Sequence, residues 1–390
     1  MEVTQVIARH VRIQLKRRVS HASHSRTHSD NLIVSVQLSD GKIGYGEGVP
    51  REYVTGETIT GCLELLGGSN LKQQLKFAHN FPQLLANAEA IALPAVANDE
   101  RGIAGNAARC AVELAYLDAF GRSLGEPMMN VAQRLAPELY RPQEQVQYSG
   151  VILSAKGWKA RLQALGYRLA GFAQIKVKVG FPGQDDVRRM RTIRRCVGRH
   201  MQLRVDANEA WQADELARIA ERLQPSRIGS IEQPVKHAAV NTLAGMRTEL
   251  TTPIMLDESL CSQADAEAAL ANGTAHAFNL RLSKCGGFIP TLRLAQFAAA
   301  HGFAYQLGCQ VGETGVLSAA GRQFACSVRG LTAIEGSFDR HLVYDPLTTE
   351  DITFSSRGGI APMLSGSGLG VKIDPARLDA VTLRREVLLG

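Results

Sequence analysis

Short apolar runs alternate with longer amphipathic stretches between about residue 145 and residue 355. Strands are predicted at residues 146–152, 173–179, 202–206, 228–232, 253–257, 277–282, 304–307 and 332–335. Between them, apolar side chains recur every three or four residues, which predicts helices such as 185–197 and 214–223. Eight strand–helix units spaced about 25 residues apart predict an α/β protein whose second domain, at 145–355, is a (β/α) barrel.

A doubly wound open sheet is the alternative architecture for this alternating pattern. Such sheets rarely contain this many units, and their nucleotide-binding form has a glycine-rich phosphate turn after its first strand. The residues that follow the predicted strand 146–152 contain no such turn. The pattern therefore favours the barrel over the open sheet.

The first 135 residues have a different pattern, which predicts a separate α+β domain. Strands are predicted at 3–15, 31–38 and 42–47. The Asp40-Gly41 pair is a turn signal that joins the last two of these strands into a hairpin. A helix is predicted at about 106–120, where apolar side chains repeat at helical spacing.

Two polar segments lie outside these elements. The stretch 17–30 contains His21, His24 and His28, and its low apolar content predicts a mobile, solvated loop rather than a metal site. Glycine and serine are frequent at the start of 357–390, which we interpret as a return of the chain to the first domain, with a short last strand at 371–373.

The composition of the 390-residue chain is that of an ordinary globular protein, with 45% hydrophobic and 21% charged residues. No apolar run reaches the roughly 18–20 residues that a membrane helix needs. Residues 1–9 lack the apolar core of a signal peptide. The 7 cysteines are scattered and form no Cys-x-x-Cys pair, which is typical of reduced thiols. These features predict a cytoplasmic protein without a membrane partner.

The net charge of +7 allows two interpretations, a basic surface or an anionic ligand. The arginine pairs at 188–189 and 194–195 lie in a helical pattern, which predicts solvated helix faces rather than a nucleic-acid patch. The spacings of zinc fingers, RNA-recognition motifs and helix-turn-helix motifs are absent from the sequence. No nucleic-acid partner is therefore expected.

Charged residues occur where the predicted barrel strands end. They are Lys178, Asp206, Glu232, Asp257, Arg281 and Glu335. Since the carboxyl ends of barrel strands meet at one mouth, these side chains are expected to converge there. Three unpaired acids on successive strands, Asp206, Glu232 and Asp257, would repel one another, and a hard divalent cation removes that repulsion. Oxygen ligands without histidine or cysteine favour Mg²⁺ over Zn²⁺.

Lys176 and Lys178 lie two residues apart in a β-branched, apolar strand, so both ammonium groups point to the same side. Lys178, nearer the strand end, is the expected base. Lys176 is expected to hold Lys178 in place and to lower its pKa by like-charge repulsion. With Mg²⁺ on a substrate carboxylate, Lys178 would then remove the α-proton to give an ene-diolate.

These runs, Lys-x-Lys, Asp-x-Asn, Glu-Gln-Pro, Asp-Glu-Ser and Lys-Cys-Gly-Gly, together with Gly44-Tyr45-Gly46-Glu47, resemble the enolase superfamily. Within it, they resemble the muconate lactonizing enzyme subgroup of the mandelate racemase/muconate lactonizing enzyme family. The resemblance covers nearly the whole chain. It implies Mg²⁺ on Asp206, Glu232 and Asp257, a small-molecule carboxylate substrate and a homo-oligomer.

The resemblance also implies that the first domain, 1–135, is a capping domain whose lid loops close over the barrel mouth. Here those loops would be 49–58 and the polar stretch 17–30. The candidates for substrate contact are Arg51, Tyr53, Asn208 and Glu335.

One position departs from the subgroup pattern. The subgroup usually has Lys-x-x-Lys-x-Gly-Gly after the sixth strand, and the first lysine is the base on the opposite face of the substrate. This chain has Arg281 at that position and Lys284 at the second. A guanidinium stays protonated and is a poor base, although it is a good anion clamp. Arg281 therefore counts against reactions that need a proton acceptor on each face.

Three functions remain open from the sequence. The first is a Mg²⁺-dependent isomerase or lyase that uses one base, similar to a muconate cycloisomerase. The second is an amino-acid or dipeptide epimerase or racemase in which Arg281 takes an unusual part. The third is a barrel that has lost catalysis and only binds anions.

Overall fold

The first part of the chain forms an antiparallel sheet with helices packed on it. The computed structural model describes residues 1–20 and 25–390. The first elements are β1 (Val3–Ser20), β2 (Ser25–Leu38), β3 (Ile43–Gly48), α1 (Glu52–Thr55), α2 (Ile59–Gly67), α3 (Leu71–Gln74), α4 (Phe81–Glu89), α5 (Asn106–Leu124) and α6 (Asn130–Leu135). The three predicted strands and the predicted helix at 106–120 are present, whereas α1 to α4 and α6 were not foreseen.

Helix α5 lies directly on strand β3 because every second residue of that strand is glycine. A Cβ atom added at Gly44, Gly46 or Gly48 would lie within 2.1 Å of a backbone atom of α5. The helix is buried from Ala107 to Gly121 except at Arg109, and its buried residues include the charged Glu113 and Asp118. These glycines let backbone pack on backbone.

The polar stretch at 17–30 is mostly strand, so the prediction of a mobile loop there was wrong for the described residues. Strands β1 and β2 extend towards the tip of a long hairpin, and Val19 pairs with Arg26. The hairpin is held on one side by residues that follow the barrel, since Leu15 bridges Val343. His21 and His24 lie outside the described residues. His28 is in β2, with its Nε2 atom 3.5 Å from an Asp30 carboxylate oxygen.

The second part of the chain alternates strands and helices as predicted. In chain order the elements are β4 (Gln145–Gln147), β5 (Gly150–Ile152), α7 (Gly157–Leu169), β6 (Gln174–Lys178), α8 (Asp186–Val197), β7 (Gln202–Asp206), α9 (Ala213–Leu223), β8 (Ile228–Glu232), α10 (Met246–Glu249), β9 (Ile254–Leu256), α11 (Gln263–Asn272), β10 (Ala277–Leu280), α12 (Phe288–Ala300), β11 (Ala304–Leu307), α13 (Gly315–Ser327) and β12 (Leu331–Ile334). Two 3₁₀ segments, Gln224–Ser226 and His237–Leu243, lie on either side of β8.

Strands β5 to β12 form one curled parallel sheet in chain order. The amide of Ser149 donates a hydrogen bond of 2.8 Å to the carbonyl of Ile334, which joins the first and last strands. The predicted α/β barrel of eight units is therefore confirmed. The predicted strand 146–152 is divided, because β4 leaves the barrel and pairs antiparallel with a later strand, β13 (Ile360–Pro362).

After the barrel, the chain forms α14 (Asp339–Leu342), then β13, α15 (Pro375–Val381) and β14 (Thr382–Leu389). Strand β14 pairs antiparallel with β1 and becomes an edge of the first sheet. The strand predicted at 371–373 is reduced to one bridge, between Thr348 and Ile373.

All 7 cysteines are free thiols. Within residues 1–20 and 25–390, no helix has both the length and the apolar character that crossing a membrane would require.

We expect Gly46→Ala to lower the free energy of unfolding by about 1–3 kcal/mol or more, because its Cβ would meet the Ala111 carbonyl oxygen at 2.1 Å. Gly67→Ala is the matched control, since no atom lies within 4 Å of the added Cβ. Urea denaturation of both variants measures the difference. Equal stability of the two variants would contradict the close packing of α5 on β3.

Candidate active site

The barrel sequence brings three carboxylates to the same end of the sheet. Asp206 and Glu232 are the last residues of β7 and β8 and are register partners. Asp257 follows β9, the next strand. All three side chains are buried, at 1% exposure or less. The parallel arrangement therefore concentrates negative charge at one mouth, as the strand-end pattern predicted.

Lys176 lies among these acids. Its Nζ is 3.2 Å from a Glu232 oxygen, 2.6 Å from a Glu335 oxygen and 3.5 Å from an Asp206 oxygen. Burial alone would lower the pKa of Lys176, but these carboxylates raise it well above its ordinary value. Lys176 is therefore an ammonium that neutralises the acids, and the expectation that it forms a repelling pair with Lys178 overlooked them.

Glu335 follows β12 and has two cationic partners. One is Lys176, and the other is Arg204, whose Nη2 lies 3.0 Å from the second carboxylate oxygen. Burial would raise the pKa of Glu335, but the two cations lower it to about 2. Arg204 was missed in the sequence, although an arginine inside the apolar strand Gln202–Asp206 was a visible signal.

Asp257 is held by two further cations. Nη2 of Arg281 pairs with one carboxylate oxygen, and Nζ of Lys284 lies 3.0 Å from the other. Burial would raise the pKa of Asp257, but Arg281 and Lys284 lower it. Lys284 is buried and also donates to the carbonyl of Asn279 at 2.9 Å, so it supports the loop after β10.

Gln233 sets the position of Asp257 and was also missed. Its side-chain oxygen accepts hydrogen bonds from the amides of Asp257 and Ser259, at 2.9 and 3.1 Å. Its own backbone is left-handed, with φ of 36°, and Asn208 is left-handed after the neighbouring strand, with φ of 44°. Unusual backbone conformations of this kind cluster at functional sites. The Glu-Gln-Pro run was the only signal of this role in the sequence.

Lys178 is the last residue of β6 and is the register partner of Asp206. Within residues 1–20 and 25–390, its ammonium group has no ion-pair or hydrogen-bond partner. Strands β6 and β10 are second and sixth in the eight-stranded sheet, so Lys178 and Arg281 stand on opposite sides of the mouth.

The predicted substrate contacts differ in their surroundings. The guanidinium of Arg51 is hydrogen-bonded within the protein. It donates to the Ser29 hydroxyl at 2.6 Å and to the Val311 carbonyl at 2.8 Å. It therefore ties the hairpin to the barrel loop, and the structure gives no support to a substrate contact. Tyr53 has the Arg26 guanidinium over its ring, 5.3 Å from the centroid. Asn208 is buried, and its amide donates to Asp206 at 3.1 Å.

Glu47, in the run Gly44-Tyr45-Gly46-Glu47, links the two parts of the chain. Its buried carboxylate accepts hydrogen bonds from the amides of Thr314 and Leu317, both at 2.9 Å, at the start of α13. Asn31 of β2 donates to it at 2.7 Å. An acidic side chain is stabilising at a helix N-terminus. Glu47 thus fixes the loop after β11, which borders the mouth.

The acids fit a hard divalent cation in their chemistry but not in their present orientation. Within residues 1–20 and 25–390, no three acidic, histidine or cysteine side chains are arranged to hold a metal ion. The reason is that Glu232 is turned to Lys176 and Asp257 to Arg281. Burial and the surrounding acids raise the pKa of Glu232 to about 8 against the effect of Lys176. Within residues 1–20 and 25–390, the buried Oδ1 atom of Asn279, whose side-chain nitrogen donates to Glu232, has no hydrogen-bond partner.

That orphan oxygen and the all-oxygen donor set of Asp206, Glu232 and Asp257 fit Mg²⁺. Binding of the cation requires Arg281 to release Asp257, because the two groups are in direct contact.

We expect Lys176→Met to lower the free energy of unfolding by about 3–5 kcal/mol, because it leaves buried carboxylates without their cation. Added Mg²⁺ should restore part of this loss by supplying the missing positive charge. Chemical denaturation with and without Mg²⁺ measures both effects, and the exposed Lys72→Met is the control. Unchanged stability in Lys176→Met would contradict the neutralising role.

The chain is similar in sequence and fold to several known proteins. The chain is 27% identical over 335 residues to the hydrophobic dipeptide epimerase of Enterococcus faecalis, covering 85% of this chain and 89% of that protein. N-succinyl Arg/Lys racemase from Bacillus cereus has the same fold, with a TM-score of 0.85 and 26% identity over 99% of this chain and 100% of that one. The dipeptide epimerase from Enterococcus faecalis complexed with Mg and L-Leu-L-Tyr matches with a TM-score of 0.78 and 26% identity, over 95% and 100%.

Residues 159–377 match the family model described as "Enolase C-terminal domain-like". This match spans more than half of the 390 residues and contains both lysines of β6 and all the mouth carboxylates described above. The resemblance expected from the sequence motifs is confirmed, and the chain belongs to the enolase superfamily.

Proposed function

We propose that this protein is a Mg²⁺-dependent epimerase or racemase of amino-acid-derived carboxylates, such as dipeptides or N-acylated amino acids. The observation that carries the proposal is the position of Lys178 and Arg281 on opposite sides of one buried carboxylate cluster. A substrate bound over that cluster would have a basic side chain facing each side of its α-carbon. Epimerisation needs such two-sided access, because the proton leaves one face and returns on the other.

Lys178 is the proposed proton acceptor. It ends β6 beside Asp206, and its ammonium group has no partner among the residues that the structure describes. Its side chain is therefore available to a substrate, whereas Lys176 is held as a cation by three acids. Lys176 therefore orients and neutralises the carboxylates, and Lys178 carries the proton.

Asp206, Glu232 and Asp257 are the proposed ligands of Mg²⁺. When bound, Mg²⁺ would withdraw charge from the substrate carboxylate and make the α-proton more acidic. Gln233 would keep Asp257 oriented through its hydrogen bonds to the loop after β9. Displaced from Asp257, the Arg281 guanidinium would be free to turn to the substrate.

The relatives favour this reaction over the cycloisomerase-like one that the sequence motifs favoured first. The relatives described above are named as an epimerase of hydrophobic dipeptides and a racemase of N-succinyl Arg/Lys. Their substrates are small molecules, which fits the expected carboxylate ligand. The cytoplasmic location and the homo-oligomeric assembly stay predictions.

A second candidate is a one-base isomerase or lyase, favoured by the identity of residue 281. Burial would lower the pKa of Arg281, but Asp257 and its acidic neighbours raise it well above its ordinary value. A guanidinium held in this way stabilises negative charge but does not accept a proton. Cycloisomerisation, syn-dehydration and β-elimination need only Lys178.

We expect Lys178→Ala to reduce exchange of the substrate α-proton with deuterated water by about 10²–10⁴-fold, because the proton acceptor is lost. The measurement is mass spectrometry of a library of dipeptides and N-acylated amino acids incubated with enzyme and Mg²⁺. The exposed Lys159→Ala is the matched control and should keep full exchange. Persistent exchange in Lys178→Ala would remove this residue as the base. No exchange by the unmodified enzyme with any carboxylate would support a barrel that only binds anions.

We expect Arg281→Lys to raise the ratio of inversion to exchange, because an amine gives and takes a proton more readily than a guanidinium. Chiral chromatography of products formed in deuterated water measures the ratio. In the unmodified enzyme, a deuterated product of inverted configuration supports the epimerase. Deuterium found solely in molecules that keep their original configuration supports the one-base candidate. Loss of both exchange and inversion in Arg281→Lys would show that the guanidinium acts as an anion clamp.

A further inference from the structure

A cavity of about 140 Å³ lies beside the barrel mouth, under the β1–β2 hairpin. Its apolar wall is formed by Val19, Val151, Leu153, Phe338, Leu342 and Phe354. Glu335, the partner of Lys176, also lines it, so the cavity adjoins the carboxylate cluster of the candidate active site. A group attached to a substrate at the mouth can therefore reach this space.

Two acids that the proposed reaction does not use line the same cavity. Glu313 follows β11, and Asp339 begins α14. The hydroxyl of Ser318 lies between them, 3.4 Å from Glu313 and 2.9 Å from Asp339. Asp339 is only 3% exposed, and its Oδ2 atom has no hydrogen-bond partner in the part of the chain that the structure describes. Within residues 1–20 and 25–390, neither acid forms an ion pair with the chain's own cations.

This arrangement is costly for a protein with no ligand in the cavity. A buried carboxylate oxygen without a partner loses its hydration without compensation. Burial and the Asp339 carboxyl raise the pKa of Glu313 well above its ordinary value, and burial raises the pKa of Asp339 to about 7. Acids with such shifts in a cleft are candidates for a functional site.

The cation that lines this cavity forms no ion pair with either acid within residues 1–20 and 25–390. Arg17 lines the cavity, but its guanidinium lies over the Phe338 ring, 5.7 Å from the centroid. Because burial raises the pKa values of both acids, a cationic group that enters the cavity would favour their charged forms.

We propose that this cavity binds the cationic side chain of the substrate, an aliphatic ammonium or guanidinium, with its methylene groups on the apolar wall and its charge on Asp339 and Glu313. The inference rests on the proposed function for the location of the substrate carboxylate at the mouth. Apolar cavities of about 150 Å³ bind ligands as large as benzene, so the volume suits a lysine side chain. A neutral side chain would leave Asp339 Oδ2 unpaired, and an anionic one would be repelled.

The test is binding of two matched probes, L-Ala-L-Lys and L-Ala-L-norleucine, to the Mg²⁺-loaded Lys178→Ala protein, measured by isothermal titration calorimetry. The probes differ chiefly in the terminal ammonium group, and the lost base prevents turnover during the titration. We expect the lysine probe to bind about tenfold to a hundredfold more tightly, as for hydrogen bonds to a buried charge. Equal affinities, or no binding of either probe, would overturn the inference.

Variants test the two acids separately. Asp339→Asn and Glu313→Gln keep the shape of each side chain and remove its charge, so each should reduce the preference for the lysine probe by about tenfold. The exposed Asp351→Asn is the control and should keep the preference. If both acid variants kept the full preference for the lysine probe, residues other than Asp339 and Glu313 would distinguish the two probes. That result would overturn the inference.

These experiments distinguish a failure of the proposed cationic subsite from a failure of the proposed reaction. If the unmodified enzyme exchanges no α-proton but the lysine probe still binds more tightly, the proposed reaction fails and the cationic subsite stands. If α-protons of both probes exchange at the same rate and both bind equally, the reaction stands and the subsite fails.

Discussion

The buried charge at the barrel mouth is the constraint on which the rest of this structure depends. Four carboxylates and four cations share this space: Asp206, Glu232, Asp257 and Glu335, with Lys176, Arg204, Arg281 and Lys284. Removing one member from such a network leaves an uncompensated charge in a medium of low dielectric constant. The mouth is therefore ordered by its own ion pairs, and an incoming metal ion has to exchange places with a side chain that is already there.

The first part of the chain contributes to the mouth through buried acids that cap barrel helices. Glu47 accepts hydrogen bonds from the start of α13, and Glu113 of α5 accepts them from the amides of Phe288 and Ile289 at the start of α12. The close contact of α5 with the glycines of β3 keeps both acids in range. The loops after β10 and β11 thus depend on residues far from them in the chain.

Chemistry and substrate selection use different parts of this mouth. Of the proton-transfer candidates, Lys178 ends β6 and Arg281 directly follows the opposite strand, β10, and the sheet fixes the backbone of both strands. The acids of the adjoining cavity, Glu313 and Asp339, lie on loops and a short helix after the last strands. Loops on a rigid barrel can change without disturbing the strand ends, which suits a fold that supports many reactions.

The sequence by itself determined the barrel and the kind of residue at each strand end, because both follow from local periodicity and position. It also identified Arg281 as a departure, since one side chain suffices to change the proton chemistry. Only the tertiary structure decided that Lys176 is neutralised by Glu335, 159 residues away, and that Asp339 is left unpaired. Partners of this kind are set by which strands and loops meet in space, and no local pattern of hydrophobic and polar residues encodes that meeting.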